Sequence, residues 1–167
     1  MTFFSYRFQV TSCDTCPHQM LLLDSLGHIG NAVPETIELG CHLCYGRPRD
    51  EHVVQHWDLA VSVEIANRIL ARVRRPLQFI HMPVPKDRND DVLFQPLTNL
   101  ALSEGTDLYL GCLHRGDDAG NAAKLARARS YARVTDISSE CSWGRSDPAH
   151  LDAILAAHKT LSHRPKT

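Results

Sequence analysis

Ile37-Glu38-Leu39-Gly40-Cys41-His42, the stretch 57–75 and Leu77-Gln78-Phe79-Ile80-His81-Met82 are the three consecutive pieces that decide the fold. The outer two are short apolar runs, too brief for a helix and bounded by turn residues, so they read as buried strands. Between them Leu59, Val63, Ala66, Ile69, Leu70 and Val73 recur at helical spacing, which predicts an amphipathic helix over 57–75. Asp58 lies near its start and Pro76 stops it. Pro83 and Pro85 end the second strand. Strand, helix, strand is the signature of a parallel βαβ unit.

Working outward, the alternation continues. Residues 107–114 form a third strand, 117–132 an alanine-rich helix with Asp118 as cap, 134–139 a fourth strand, and 148–161 a last helix with Pro148 in its first turn. The segment 86–91 is a polar loop, solvated or ligand-binding, and 92–100 holds a weak helical turn. Upstream, 5–10 reads as a short strand and 11–36 as a short helix or irregular linker containing Gly27 and Gly30. The expected organisation is α/β, with an irregular N-terminal segment (1–36), a βα-repeat domain (37–161) and a frayed tail (162–167).

With 167 residues, 43% hydrophobic and 22% charged, the chain suits one packed domain. Eighteen basic and nineteen acidic side chains leave a net charge of -1, which recruits neither nucleic acid nor an acidic membrane. No stretch approaches the ~20 apolar residues of a membrane span. A soluble, cytoplasmic protein is the expectation, so the six cysteines read as thiols or metal ligands rather than disulfides. The run Arg72, Arg74, Arg75 reads as a solvated helix end.

In parallel βα folds chemistry gathers where the strands end. Those ends carry His42 and Cys44, then His81, then His114, then Glu140 and Cys141. His42-Leu43-Cys44 turns two donors to one side, and Cys141 reaches the same rim through the fold. Imidazole and thiolate are zinc's preferred donors, and three of them leave an open position. A competing arrangement is a four-cysteine ribbon, Cys13-x-x-Cys16 with Cys41-x-x-Cys44, although a regular strand would turn Cys41 away from His42. Cys13 and Cys16 have redox-pair spacing without the βαβ context of a thioredoxin motif around them, and Cys112 reads as a core residue. His114 and Arg145 are candidates for holding a small-molecule substrate, Arg145 through an anionic group; a surface turn and a helix cap are the alternatives. No Walker loop, dinucleotide fingerprint or nucleophile elbow is present.

Four stretches carry a family resemblance: Glu38-Leu39-Gly40-Cys41-His42-Leu43-Cys44-Tyr45-Gly46, Phe79-Ile80-His81-Met82-Pro83-Val84-Pro85-Lys86-Asp87-Arg88, Leu108-Tyr109-Leu110-Gly111 and Glu140-Cys141-Ser142-Trp143-Gly144-Arg145. Together they resemble the C-terminal catalytic barrel of cobalamin-independent methionine synthase, and more closely a shortened single-barrel branch grouped with uroporphyrinogen decarboxylase-like barrels. The resemblance implies a TIM-type barrel, here partial because a full one needs about 250 residues. It also implies a zinc ion on His42, Cys44 and Cys141, with His81 standing where the family has a glutamate ligand and Glu140 as second choice. Zinc there makes an acceptor thiol nucleophilic for methyl or alkyl transfer. The alternatives are a biosynthetic enzyme of specialised metabolism with another reaction, or a truncated, non-catalytic paralogue. A half-length barrel further implies a homo-oligomer that covers its incomplete edge.

Overall fold

The computed structural model describes the backbone of residues 2–7, 17–44, 57–139 and 147–162, and the side chains of residues 20–44, 57–139 and 147–162. Strands and helices alternate: β1 (Thr2–Arg7), α1 (Pro17–Ala32), β2 (Leu39–Cys44), α2 (Ala60–Arg72), β3 (Phe79–Pro83), α3 (Asp91–Phe94), β4 (Asp107–Leu113), α4 (Asp118–Arg129), β5 (Asp136–Ser139) and α5 (Leu151–Leu161). Short 3-10 turns at Gln95–Asn99 and Pro148–His150 extend α3 and introduce α5.

All five strands are parallel and lie in chain order, β1-β2-β3-β4-β5. Right-handed crossovers between sequential neighbours put every helix on the same side. The core agrees: Leu23 and Leu26 of α1, Val63 and Ile69 of α2, Phe94 of α3, Leu125 of α4 and Ile154 of α5 share one apolar cluster with Leu39, Leu43, Ile80, Met82, Leu108 and Leu110. The sheet is open, since β1 and β5 form its two edges. A closed barrel is therefore not what these residues build. No helix of the described residues is long and apolar enough to cross a membrane.

Several expectations shift. The segment 11–36, expected as a short helix or irregular linker, contains a 16-residue helix, α1, whose glycines are packing devices. A Cβ on Gly27 would stand 3.1 Å from Arg72 Cβ, and one on Gly30 3.0 Å from Val73 Cγ2. The bare backbone lets α1 lie close against α2. The strand expected at 5–10 lies at Thr2–Arg7, paired with β2, so this N-terminal part joins the same sheet. Residues 8–10 and 163–167 are outside the described residues.

Of the basic run, Arg72 ends α2 and Arg74 is exposed, but Arg75 is not solvated. Arg75 is only 7% exposed and donates to the carbonyls of Val33 (2.9 Å), Pro34 (2.6 Å) and Ile37 (2.6 Å). Its guanidinium thus supplies donors to a connection that lacks a strand or helix partner. Arg72 meets Asp24 at 2.9 Å, and Arg74 N–H donates to Asn31 Oδ1 at 2.7 Å. The cap of α4 is Asp117 rather than Asp118, accepting from Gly120 N–H at 3.1 Å.

Candidate metal centre

The register of β2 and β3 sets His42 beside His81. Register partners in a parallel sheet stand on the same face, and neighbours along a strand on opposite faces. Leu39 and Leu43 enter the helix-covered core, as do Ile80 and Met82. His42 and His81 therefore emerge on the face opposite the described helices. So does Cys44, which is buried yet is no member of the apolar core. Each histidine stands two residues before the end of its strand, and Cys44 is the last residue of β2. The pair thus lies slightly inside the rim rather than at it.

The two imidazoles lie nearly parallel, 21° between planes with centroids 4.6 Å apart, and meet edge to edge through Nδ1 atoms 2.5 Å apart. One Nδ1 donates and the other accepts, so the pair shares a single proton across a very short contact. Burial lowers the pKa of His42. Burial first, then repulsion from His42, lowers that of His81 to about 3, with the Ser139 backbone pulling the other way. Both rings are held neutral, the form in which imidazole binds metals.

His81 leans across β4. The residue is 8% exposed, and the Ser139 backbone hydrogen-bonds its ring. Nε2 sits 3.1 Å from where a Cβ on Gly111 would stand. Phe79 leans the opposite way, over Gly40, where a Cβ would collide with its ring. Phe79 meets Tyr109 edge-on at 6.0 Å, and Tyr109 is the register partner of His81. Two interior glycines thus give room to two rings of β3. Interior strand glycines signal such close approach, and Leu110-Gly111 carried that signal in the sequence.

The other expected residues divide. Cys141, Glu140, Arg145, Cys13 and Cys16 lie outside the described residues. His114 is buried just past β4, its backbone clasped by Asn121: the N–H donates to Oδ1 at 2.9 Å, and the carbonyl accepts from Nδ2 at 2.8 Å. It stands beyond Tyr109, the rung of the imidazole pair, so β4 does not bring it alongside them. The polar loop is largely structural: Arg88 grips both oxygens of Asp90 at 2.7 Å and donates to the Trp57 carbonyl, while Asp90 caps α3.

The ribbon arrangement loses one of its pairs. Cys41 packs against the core on the helix side, opposite Cys44, so the two thiols cannot grip one ion. Desolvation also pushes the Cys41 thiol up to about 12, away from the thiolate a metal needs. Cys112 is a core residue as expected, its thiol likewise raised to about 12 by burial.

Among the described residues no group of three or more His, Cys, Asp or Glu side chains converges as a metal cage. Imidazole and thiol are donor types that zinc takes, and β2 and β3 carry two of the first and one of the second on the same face. Comparison with protein-family models, with curated proteins and with solved structures finds no match to this chain. What fold and site define is a class: an open, all-parallel βα sheet with a buried His81 set against a half-buried His42 on the face opposite the described helices.

Proposed function

We propose that the chain is a zinc-dependent transferase acting on a thiol or a related soft nucleophile, in the manner of the cobalamin-independent methionine synthases it resembles. The observation that carries the proposal is that the β2–β3 register brings the His42 and His81 imidazoles into Nδ1–Nδ1 contact on the sheet face opposite the helices. His42 and His81 would hold the ion with Cys44, and the resemblance adds Cys141 as the late thiolate. Bound zinc would supply a Lewis acid that keeps an acceptor thiol deprotonated at neutral pH. The chain's own part is to keep both imidazoles unprotonated by burial, and so ready to donate. The strands of a partial TIM-type barrel would hold these donors on one rigid face. His114 and Arg145 remain substrate-holding candidates.

Elemental analysis of the purified protein tests this. The expected result is one zinc per chain, lost on Cys141→Ser. Metal-free wild-type protein, or a Cys141→Ser variant that keeps its zinc, contradicts it.

The open sheet favours a second reading, a truncated and non-catalytic partner whose edges are covered in an assembly. Light scattering separates the two: a monomer that carries zinc excludes the second, and a zinc-free oligomer supports it.

A further inference from the structure

The two edges of the sheet are unlike. β5 is four residues long, and its ladder with β4 slips between Leu110 and Leu113. Its own side chains engage two of its backbone groups: Asp136 Oδ1 accepts from the Ile137 N–H at 2.8 Å, and Ser138 Oγ donates to the Ser139 carbonyl at 3.1 Å. Short length and a bulged ladder are common means of keeping an edge from pairing. β1 has neither. It runs six residues in unbroken register with β2, from Thr2 beside Leu39 to Arg7 beside Cys44. Its sequence, Thr-Phe-Phe-Ser-Tyr-Arg, holds no proline, lysine or carboxylate. Among the described residues no strand pairs with its outer side, so its edge offers backbone N–H and C=O groups to another strand.

The helix beside that edge carries a matching surface. α1 meets α2 through Asp24, Gly27 and Asn31. At about 100° per residue, Leu22, Ile29 and Val33 fall on the opposite flank, the one toward the β1 edge. Leu22 and Val33 are half-buried against the core, and Ile29 is 37% exposed.

We infer that this edge is the interface of a two-fold dimer: β1 pairs antiparallel with β1 of a second copy, and the Leu22, Ile29 and Val33 flanks of the two α1 helices meet above the seam. Spacing favours a second copy as the occupant. Paired strands stand ~4.8 Å apart, so a helix lying over the β1–β2 gap sits about 2.4 Å inward of β1, and the seam lies about 2.4 Å outward of it. The two α1 axes then run about 10 Å apart, within the range at which helices pack. A two-fold axis perpendicular to the sheet keeps all helices on one side and brings the same flank against itself. It also leaves the bulged β5 edges at the far ends of the joined sheet. Closing a barrel from two copies would instead require β5 to take up β1 of the other copy, and β5 is the edge built against pairing. Nothing in this pairing depends on the zinc reading above.

Sedimentation velocity of the full chain, beside amide hydrogen exchange, tests this. Wild type should sediment as a dimer at micromolar concentration, and its 2–7 amides should exchange more slowly in the dimer than in the diluted monomer. Ile29→Lys removes apolar surface from both flanks and sets two ammonium groups near one another, so it should weaken the dimer about tenfold or more. Leu155→Lys, at an exposed position of α5 beside the other edge, should leave the dimer intact. Melting curves of both variants report whether they fold, and the wild-type exchange decides the edge even if Ile29→Lys does not. A wild-type chain that stays monomeric overturns the inference. So do assemblies that grow beyond the dimer, 2–7 amides that exchange equally fast in dimer and monomer, and a dimer broken by Leu155→Lys but not by a folded Ile29→Lys.

Discussion

The two faces of the sheet are made from the same strands and obey different rules. On the helix side Leu39, Leu43, Ile80, Met82, Leu108 and Leu110 fill one apolar core. On the other side β2 and β3 present Gly40, His42, Cys44, Phe79 and His81, with Tyr109 and Gly111 beside them on β4. The first set releases water from apolar surface and so drives folding. The second buries His81 and sets two imidazoles in Nδ1–Nδ1 contact, polar groups that packing alone does not call for. A face that departs from the rules of packing while its reverse keeps them is where function is expected.

Substitutions on the helix face should produce the largest effects. Ile80→Ala, at a fully buried position, should cost about 2–5 kcal/mol in chemical denaturation. His81→Leu, next along the same strand, should cost much less, about 1 kcal/mol, because it removes a polar contact rather than part of the apolar core. A large loss at His81 would erase the distinction between the faces. Arg75→Ala comes next, at about 1–3 kcal/mol, since three backbone carbonyls lose their donor. Thiol reactivity distinguishes the faces without mutation. Cys41 and Cys112, both raised to about 12, should resist alkylation at neutral pH until the protein unfolds. Fast native-state labelling of either, read by mass spectrometry, would contradict the placement of both on the core side.

The smallest effect belongs to the rim. The Arg88 guanidinium, aided by the Leu93 N–H, holds the Asp90 carboxyl below its ordinary 3.8, at about 2. A folded-state value below the unfolded one adds stability that is full above pH ~4 and fades as pH falls toward 2. Melting curves of wild type and Asp90→Asn should therefore differ slightly at pH 6 and converge near pH 2. A gap that widens on acidification would show the sign to be wrong.

Much of the helix-side architecture was legible because it is periodic. The spacing of Val63, Ala66 and Ile69 announced α2, and the short apolar runs announced β2, β3 and β4. α1 was obscured by Gly27 and Gly30, which resemble helix breakers until α2 is seen lying against them. Arg75 looked solvated because its acceptors are backbone carbonyls, which leave no mark on composition. For the site, the residue types at 42, 44 and 81 were readable, but the mutual contact of His42 and His81 was not. It depends on the β2–β3 register, a property of two strands together. The same holds for the room Gly111 gives to His81, set by the neighbouring pair of strands.

The central claim is that the imidazole pair is a metal site rather than a packing accident. Calorimetric titration of zinc into wild type and His81→Ala tests it most directly. The account predicts one bound zinc per wild-type chain, lost in the variant while its thermal unfolding stays cooperative. Wild-type protein that takes up no zinc, or a His81→Ala variant that binds it unchanged, would contradict it.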